Sequence, residues 1–262
     1  MFLLMATIFV DVFHSALARC LPKLAAADQG QVHKWKSIIS LVAYIIITIA
    51  SLENGYRTPS ITEVGVTLAG LPECLKGFRI VLVSDLHAGP LIGLFTITEH
   101  VKRINALSPD IVVLGGDMAD GPPSELSALL KPLSRDLIAP SGVYFSTGNH
   151  EYGHGATGED WKAWWASENV TLLDNRRVAV GASSSCAESF ELIGVNDWSH
   201  GPNLTEAMAG MDPGRASVLI AHQPSQVRMC VRVCARVCVC ACVCACVSVC
   251  LRVCLPVRFV TR

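Results

Sequence analysis

Four short apolar runs lie in the middle of the chain, and each ends at a polar or glycine-rich turn. The runs are residues 78–84, 110–114, 142–146 and 216–221, and each contains β-branched residues. Near-continuous apolar runs of this length are typical of strands that are covered on both faces. The pattern therefore predicts four buried strands, each followed directly by a polar turn.

Segments between these runs predict helices at residues 97–107, 124–137 and 160–168. Strands that alternate with helices in this order form an α/β fold. In such sheets, ligands bind at the carboxyl ends of the strands. We therefore expect one edge of the sheet to collect the polar residues that follow the runs, which are Asp85, His87, Asp117, Asn149, His150, Glu151 and His222.

The N-terminal residues 1–55 are predicted to form a membrane region with one or two helices. Residues 37–52 form a stretch of sixteen residues without a charge, slightly short of the roughly 20 residues that cross a bilayer core. A buried helix or a strand is the alternative, because Ile45, Ile46 and Ile47 favour strands. A second apolar stretch, residues 1–18, is a weaker span because Asp11 and His14 interrupt it.

Basic residues determine the predicted orientation in the membrane. Four Arg or Lys residues lie between the two apolar stretches, whereas only Arg57 follows the second one closely. The positive-inside rule places that short loop in the cytosol and the rest of the chain in the lumen or outside the cell. Two Asn-x-Thr glycosylation patterns, at Asn169 and Asn203, agree with this orientation. Residues 1–10 lack the basic start of a cleaved signal peptide.

Length and charge narrow the classes of protein. The 262 residues suit one sizeable domain with a small appendage. The net charge is −1 and no dense Lys or Arg run occurs, so we expect no nucleic-acid partner. Nine of the twelve cysteines lie at residues 230–254, and the other three are too few for a disulfide scaffold. Cysteine usage thus leaves the redox compartment open.

Residues 227–262 form a repeat-like tail that we expect not to be a folded domain. From 230 to 247, Cys or Arg alternates with Val or Ala without exception. Triplet reading of DNA that alternates G with T or C yields this pattern, which indicates a simple-repeat origin. A metal-binding cysteine tail is the alternative, but the spacing lacks the C-x-x-C turns of zinc sites.

The middle of the chain resembles the calcineurin-like metallophosphoesterase family. The resemblance rests on Asp85-x-His87, Gly116-Asp117, Gly148-Asn149-His150-Glu151 and the later His222, and it covers residues 75–226. With the apolar N-terminus, the chain resembles the membrane-anchored branch of the family. The resemblance implies a layered α/β/β/α sandwich at 75–226, after a linker at 56–74.

The resemblance also implies a role for each site residue. Asp85 and His87 hold one metal ion, Asp117 bridges two, and Asn149 with His222 holds the other. His150 lies beside the phosphate as the catalytic residue, and Glu151 lies behind the ligands and orients a neighbouring histidine. Mixed Asp, Asn and His ligands suit Zn, Fe or Mn better than Ca. The expected reaction is hydrolysis of a phosphoester by metal-activated water.

One part of the family pattern is missing, because a Gly-His-x-His element should follow His222 and no later histidine occurs. We therefore expect the domain to be C-terminally truncated and its activity to be impaired. A non-catalytic membrane-anchored binding or regulatory protein is the alternative function, and a thiol or metal buffer is a third. The sequence leaves the substrate open.

Three tryptophans at 161, 164 and 165 are predicted to pack in the core rather than to face lipid.

Overall fold

The computed structural model describes residues 12, 29–56, 60–66, 68, 70–181, 186–212, 214–226, 238–240 and 256–261. They divide into two units, residues 1–58 and 59–262.

The first unit contains helix α1 (Gln29–Tyr56), whose 28 residues span about 42 Å at 1.5 Å per residue. Its segment His33–Glu53 has a mean hydropathy of 1.8 and is almost entirely exposed. A helix, rather than a strand or a buried helix, is thus confirmed, and it is long and apolar enough to cross a membrane. The weaker span at 1–18 lies outside the described residues, except for Val12.

The second unit contains two sheets and four helices among its described residues. The strands are β1 (Ser60–Gly65), β2 (Ile80–Val83), β3 (Ile111–Leu114), β4 (Val143–Phe145), β5 (Thr171–Leu172), β6 (Arg176–Val180), β7 (Phe190–Gly194), β8 (Ser217–Ala221), β9 (Cys238–Cys240) and β10 (Pro256–Thr261). The helices are α2 (Leu94–Ala106), α3 (Pro123–Arg135), α4 (Gly158–Ser167) and the short α5 (Leu204–Ala207). All four strands and all three helices that the sequence predicts in this region are present.

The larger sheet has the order β1-β10-β2-β3-β4-β5. Strands β2, β3, β4 and β5 run parallel, with Ile80 opposite Ile111 and Val112 opposite Val143. The smaller sheet has the order β6-β7-β8-β9, in which β7, β8 and β9 are parallel. Parallel β2, β3 and β4 bring their carboxyl ends to one edge, where the predicted polar turns begin.

The packing forms four layers. Side chains alternate between the two faces of a strand, so Ile80 and Leu82 face the smaller sheet and pack with Phe190 and Leu192. The intervening Val81 and Val83 pack on the other face, in the cluster that includes residues of α2, α3 and α4. Helix α5 covers the outer face of the smaller sheet. This arrangement confirms the α/β/β/α sandwich.

Two aromatic residues confirm the core role of the tryptophan cluster. Trp161 and Trp165 are fully buried, and Trp165 packs against Phe145 of β4 with ring centroids 5.2 Å apart. Trp161 also donates its indole N–H to the carbonyl of Gly121. The cluster is therefore part of the helix–sheet interface.

A disulfide joins Cys74 to Cys186 across 112 residues of sequence. Cys74 lies in a single 3-10 turn before β2, and Cys186 precedes β7. The bond links the segments that lead into the two sheets. This single bond uses two of the three cysteines outside the tail, and it does not amount to the disulfide scaffold that the sequence analysis excluded.

Two stretches of the tail lie in the sheets. Strand β9 is parallel to β8, and β10 lies between β1 and β2. The expectation that 227–262 forms no folded domain, like the other domain boundaries, stays a prediction.

Candidate metal centre

The turns after β2 and β3 lie side by side and hold three of the predicted ligands. The amide of Asp85 donates to the carbonyl of Gly116 at 3.1 Å, and the amide of His87 donates to the carbonyl of Asp117 at 3.0 Å. Asp85, His87 and Asp117 all have positive φ angles, between 50° and 57°. Such angles are uncommon outside glycine and are concentrated at functional sites. The two turns are therefore fixed against each other in an unusual backbone conformation.

Glycine is required where the turns after β3 and β4 meet. A Cβ atom on Gly116 would overlap the backbone of Gly148, and a Cβ on Gly148 would overlap the Asp117 carboxylate. Gly116 also has a φ of +98°, which side chains strongly disfavour. Both glycines of the predicted motifs are thus explained by close backbone approach.

Asp117 lies at the centre of the candidate site. Its Oδ2 atom is 3.3 Å from Nε2 of His222, 3.8 Å from Nε2 of His87 and 4.0 Å from Nε2 of His150. Two potential metal-binding groups share this carboxylate: His87, Asp117 and His150 form one, and Asp85, Asp117 and His222 form the other, with ligand atoms in each group lying within 4.8 Å of one another.

Asn149 is more exposed than the other predicted ligands. It lies between Gly148 and His150 in the turn after β4, with its side chain exposed, and it caps the short 3-10 helix without a side-chain hydrogen bond. The structure therefore brings Asn149 to the same turn, but the two ligand groups are built from the other five residues.

His222 connects the second sheet to the site. It directly follows β8, is buried, and its Nδ1 lies 2.9 Å from the carbonyl oxygen of Gly115. Burial alone would lower the pKa of His222, but its hydrogen bond to Asp117 and the charge there raise the pKa to about 9. For Asp117, burial acts to raise the pKa, and the bond and charge of His222 outweigh it, so the pKa is lowered. The pair is a carboxylate facing an imidazolium at neutral pH.

Asp120 is a site residue that the sequence analysis missed. Its Oδ1 lies 2.7 Å from Nδ1 of His87 and also 2.7 Å from Nδ1 of His150. Asp120 accepts from both Nδ1 atoms and thereby directs both Nε2 atoms towards Asp117. A carboxylate that hydrogen-bonds to a ligating histidine usually fixes the orientation of its ring in this way. The signal was present as the spacing Gly116-Asp117-x-x-Asp120.

Glu151 supports the backbone rather than a histidine. It is fully buried, and its carboxylate accepts the amides of Asp117 at 2.9 Å, Met118 at 2.8 Å and Gly148 at 2.7 Å. Burial raises its pKa despite these three hydrogen bonds. The expected role of orienting an imidazole belongs to Asp120, while Glu151 ties the turns after β3 and β4 together.

Two further histidines lie close to these turns. His154 has a positive φ of 55°, and its ring centroid is 5.1 Å from that of His150. His200 stacks on Tyr152 with centroids 3.6 Å apart and lies 3.2 Å from the buried Asp197. His154 is exposed and forms a further potential metal-binding group with Asp120 and His150, whereas His200 links the loops of the two sheets.

The two predicted glycosylation sites are both exposed. Asn169 follows α4 in a left-handed conformation with φ 62°. Asn203 caps α5, accepting the amide of Glu206 and donating to its carboxylate at 3.0 Å. Asn169 is thus the better placed acceptor.

The sequence model of the calcineurin-like phosphoesterase family matches residues 78–236, which include every residue of the candidate site. The chain belongs to this family. It is similar to the bovine (Bos taurus) protein named transmembrane protein with metallophosphoesterase domain, with 33% identity over 197 residues, which is 71% of this chain and 44% of the relative.

Two other relatives extend the comparison. The Danio rerio protein of the same name is 29% identical over 204 residues, covering 75% of this chain and 46% of the relative. A UDP-2,3-diacylglucosamine pyrophosphatase of Chlamydia trachomatis is 37% identical over 78 residues, covering 30% of this chain and 24% of that protein. The chain spans less than half the length of these relatives.

The buried Glu151 carboxylate yields a prediction about stability. In Glu151→Gln, one oxygen is replaced by an NH2 donor that faces backbone N–H groups, so at least one buried amide loses its acceptor. We expect the free energy of unfolding to fall by about 1–3 kcal/mol, measured by denaturant titration. The exposed Glu188→Gln is the control and should change little. Equal stability of both variants would contradict the structural role.

Proposed function

We propose that the chain is a membrane-tethered, metal-dependent phosphoesterase whose site is built for two cations. The observation that carries the proposal is the shared Asp117 carboxylate, which belongs to both ligand groups and faces three imidazoles. A carboxylate can bridge two cations through its two oxygens, and the mixed N and O donors suit Zn, Fe or Mn.

The residue types of the donor set fit such cations, and so does the ionisation of Asp117, whereas His222 must first lose a proton. The lowered pKa of Asp117 keeps this buried group ionised, as a ligand must be. His222 holds a proton that a cation would have to displace, since ligating imidazoles are neutral. Bound cations would supply a water nucleophile and a clamp for the phosphoryl oxygens.

The individual roles follow the geometry only in part, and we propose them as follows. Asp85, His87, Asp117, Asn149 and His222 hold the cations, with Asp117 as the bridge. His150 is the catalytic residue by its place in the family motif; its side chain is 28% exposed and Asp120 holds its Nδ1, two features that it shares with His87. This leaves Nε2 of His150 available to bind the phosphoryl group or to protonate the leaving oxygen.

We further propose that residues 60–226 lie outside the cytosol. The distribution of basic residues around the apolar helix supports this orientation. The Cys74–Cys186 disulfide supports it independently, because such bonds form and persist mainly in oxidising compartments. The exposed Asn169 acceptor is consistent with both.

Impaired activity is a further proposal. His222 is the last histidine, so the tail offers no imidazole to complete either ligand group. Each cation would then have three protein ligands, counting the bridge twice, and weak binding follows. A non-catalytic protein would also show little activity as this chain. The two functions differ in the activity expected once the missing ligands are restored, which only the phosphoesterase would gain.

The shared carboxylate predicts that one substitution removes both cations. At Mn or Zn concentrations high enough to fill weak sites, Asp117→Asn should reduce the metal bound by the full chain from about two ions to fewer than one, measured by calorimetry and elemental analysis. The exposed Asp136→Asn, at the end of α3, is the matched control and should bind as the parent does. Unchanged binding in Asp117→Asn would refute the site and would favour thiol ligands in the tail.

A chimera tests the activity itself. Residues 227–262 are replaced by the corresponding segment of the bovine relative, and hydrolysis of p-nitrophenyl phosphate and bis-p-nitrophenyl phosphate is measured with Mn, Zn or Fe. We expect the chimera to exceed the parent chain by at least about 100-fold. Loss of a residue that only hydrogen-bonds to a metal ligand already costs about 10–100-fold in metal affinity or activity, and the chimera restores ligands themselves. Equal activity in the parent would disprove impairment, and an inactive chimera that binds two cations would favour the non-catalytic alternative.

The proposed orientation predicts two covalent modifications in cells. The full chain should carry a glycan at Asn169, seen as a shift in electrophoretic mobility when peptide-N-glycosidase removes it. Both Asn169→Gln and Thr171→Ala should abolish this mobility shift. Peptides with Cys74 and Cys186 should resist alkylation until a reductant is added. Free thiols at both positions together with an absent glycan would place the domain in the cytosol.

A further inference from the structure

A group of exposed apolar residues follows the metal-binding turn after β2 in sequence. It consists of Leu91, Leu94 and Phe95, whose exposed fractions are 67%, 49% and 80%, and we call it the apolar rim. Single exposed apolar side chains are ordinary, but a cluster marks an interaction surface. The other large exposed apolar residues described between 60 and 226, Ile61, Ile138 and Trp198, are separate in sequence.

The rim is anchored to the metal-binding turns. Ala88 follows His87 and pairs with Ala119, which precedes Asp120. The amide of Gly89 then donates to the carbonyl of Ile92 at 3.1 Å, and the Ile92 side chain is buried. A tight turn thus holds Leu91 outward while its neighbour is fixed in the core. The exposure of the rim is a consequence of this local structure.

The chemistry of the segment suits lipid. Residues 88–98 contain no charged side chain, so moving the rim out of water removes no ion from its hydration shell. A protein binds a bilayer surface through the apolar area that it buries at the boundary between the headgroups and the acyl chains.

The chain itself brings a bilayer within reach. The apolar segment of α1 ends at Glu53, and the first strand begins at Ser60. An extended connection of this length spans no more than about 25 Å. If α1 crosses a membrane, this length keeps the start of β1 within about 25 Å of the bilayer, where lipid is the most abundant apolar partner.

We propose that the apolar rim docks into the lipid interface and holds the candidate metal centre at the membrane surface. Membrane docking does not need catalysis. Its consequence for the substrate does rest on the proposed function: a phosphoester carried by a lipid headgroup is then the substrate class presented to Asp117 and His150.

Photocrosslinking of the full chain in phosphatidylcholine liposomes tests the docking. The photoreactive residue is introduced as Phe95→p-benzoylphenylalanine, with Ile138→p-benzoylphenylalanine as the matched control. Ile138 is as exposed as Leu91, at 67%, but it follows α3 and donates its amide to the Asn105 side chain, near the carboxyl end of α2 and away from the rim at its amino end. Ile46→p-benzoylphenylalanine, in the apolar helix, verifies the chemistry.

We expect several-fold more lipid adduct at position 95 than at position 138, detected by mass spectrometry of the labelled peptides. Equal or absent lipid adducts at 95 and 138, with labelling at 46, would overturn the proposal. So would an adduct at 95 with a second copy of the chain or with another protein. Because no turnover is measured, this failure is separate from failure of the phosphoesterase proposal.

A second readout tests the substrate class in the active chimera. Phe95→Ser should lower hydrolysis of a phosphoester carried by liposome lipid several-fold, and should leave hydrolysis of soluble p-nitrophenyl phosphate and the metal content unchanged. An equal loss on both substrates would show that the rim supports the fold of the site rather than access to lipid.

Discussion

The candidate site depends on the buried carboxylate of Glu151. Its two oxygens accept three backbone amides, two from the turn after β3 and one from the turn after β4. These turns meet at Gly116 and Gly148, where no side chain fits. The position of the Asp117 carboxylate, and therefore both ligand groups, follows from this arrangement.

Three carboxylates near one another have three different partners, and this separates their functions. Glu151 binds backbone N–H groups, Asp120 binds the Nδ1 atoms of His87 and His150, and Asp117 faces the Nε2 atoms. Oδ1 of Asp117 accepts the amide of His150 at 2.8 Å, whereas its Oδ2 is the oxygen directed at the imidazoles of the site. His222 balances the charge of Asp117 when no cation is bound.

The sequence predicted four of the buried strands but not β7, whose fully buried run contains the charged Glu191. Strands β2, β3, β4 and β8 are fully or mostly buried apolar runs, so they could be located along with the ligands that follow them. Strand β5 has two residues, and β6 begins with two arginines and is mostly solvent-accessible, so neither has a recognisable pattern. Asp120 lies three residues after Asp117, and its contacts with His87 and His150 become visible only in the fold. The Cys74–Cys186 bond joins segments 112 residues apart, which spacing alone does not reveal.

The disulfide also determines how mechanical load would travel through the molecule. The chain leaves the apolar helix, forms β1 and reaches Cys74 before it enters the site region. If α1 is anchored in a membrane, a pull between that anchor and the chain beyond Cys186 would pass from Cys74 across the sulfur atoms to Cys186, because the covalent bond is the stiffest route. Residues 75–185, which include Asp85, Asp117 and His150, form a loop outside that route. Tension on the tether would therefore bypass most of the site, with His222 the one ligand that lies beyond the bond.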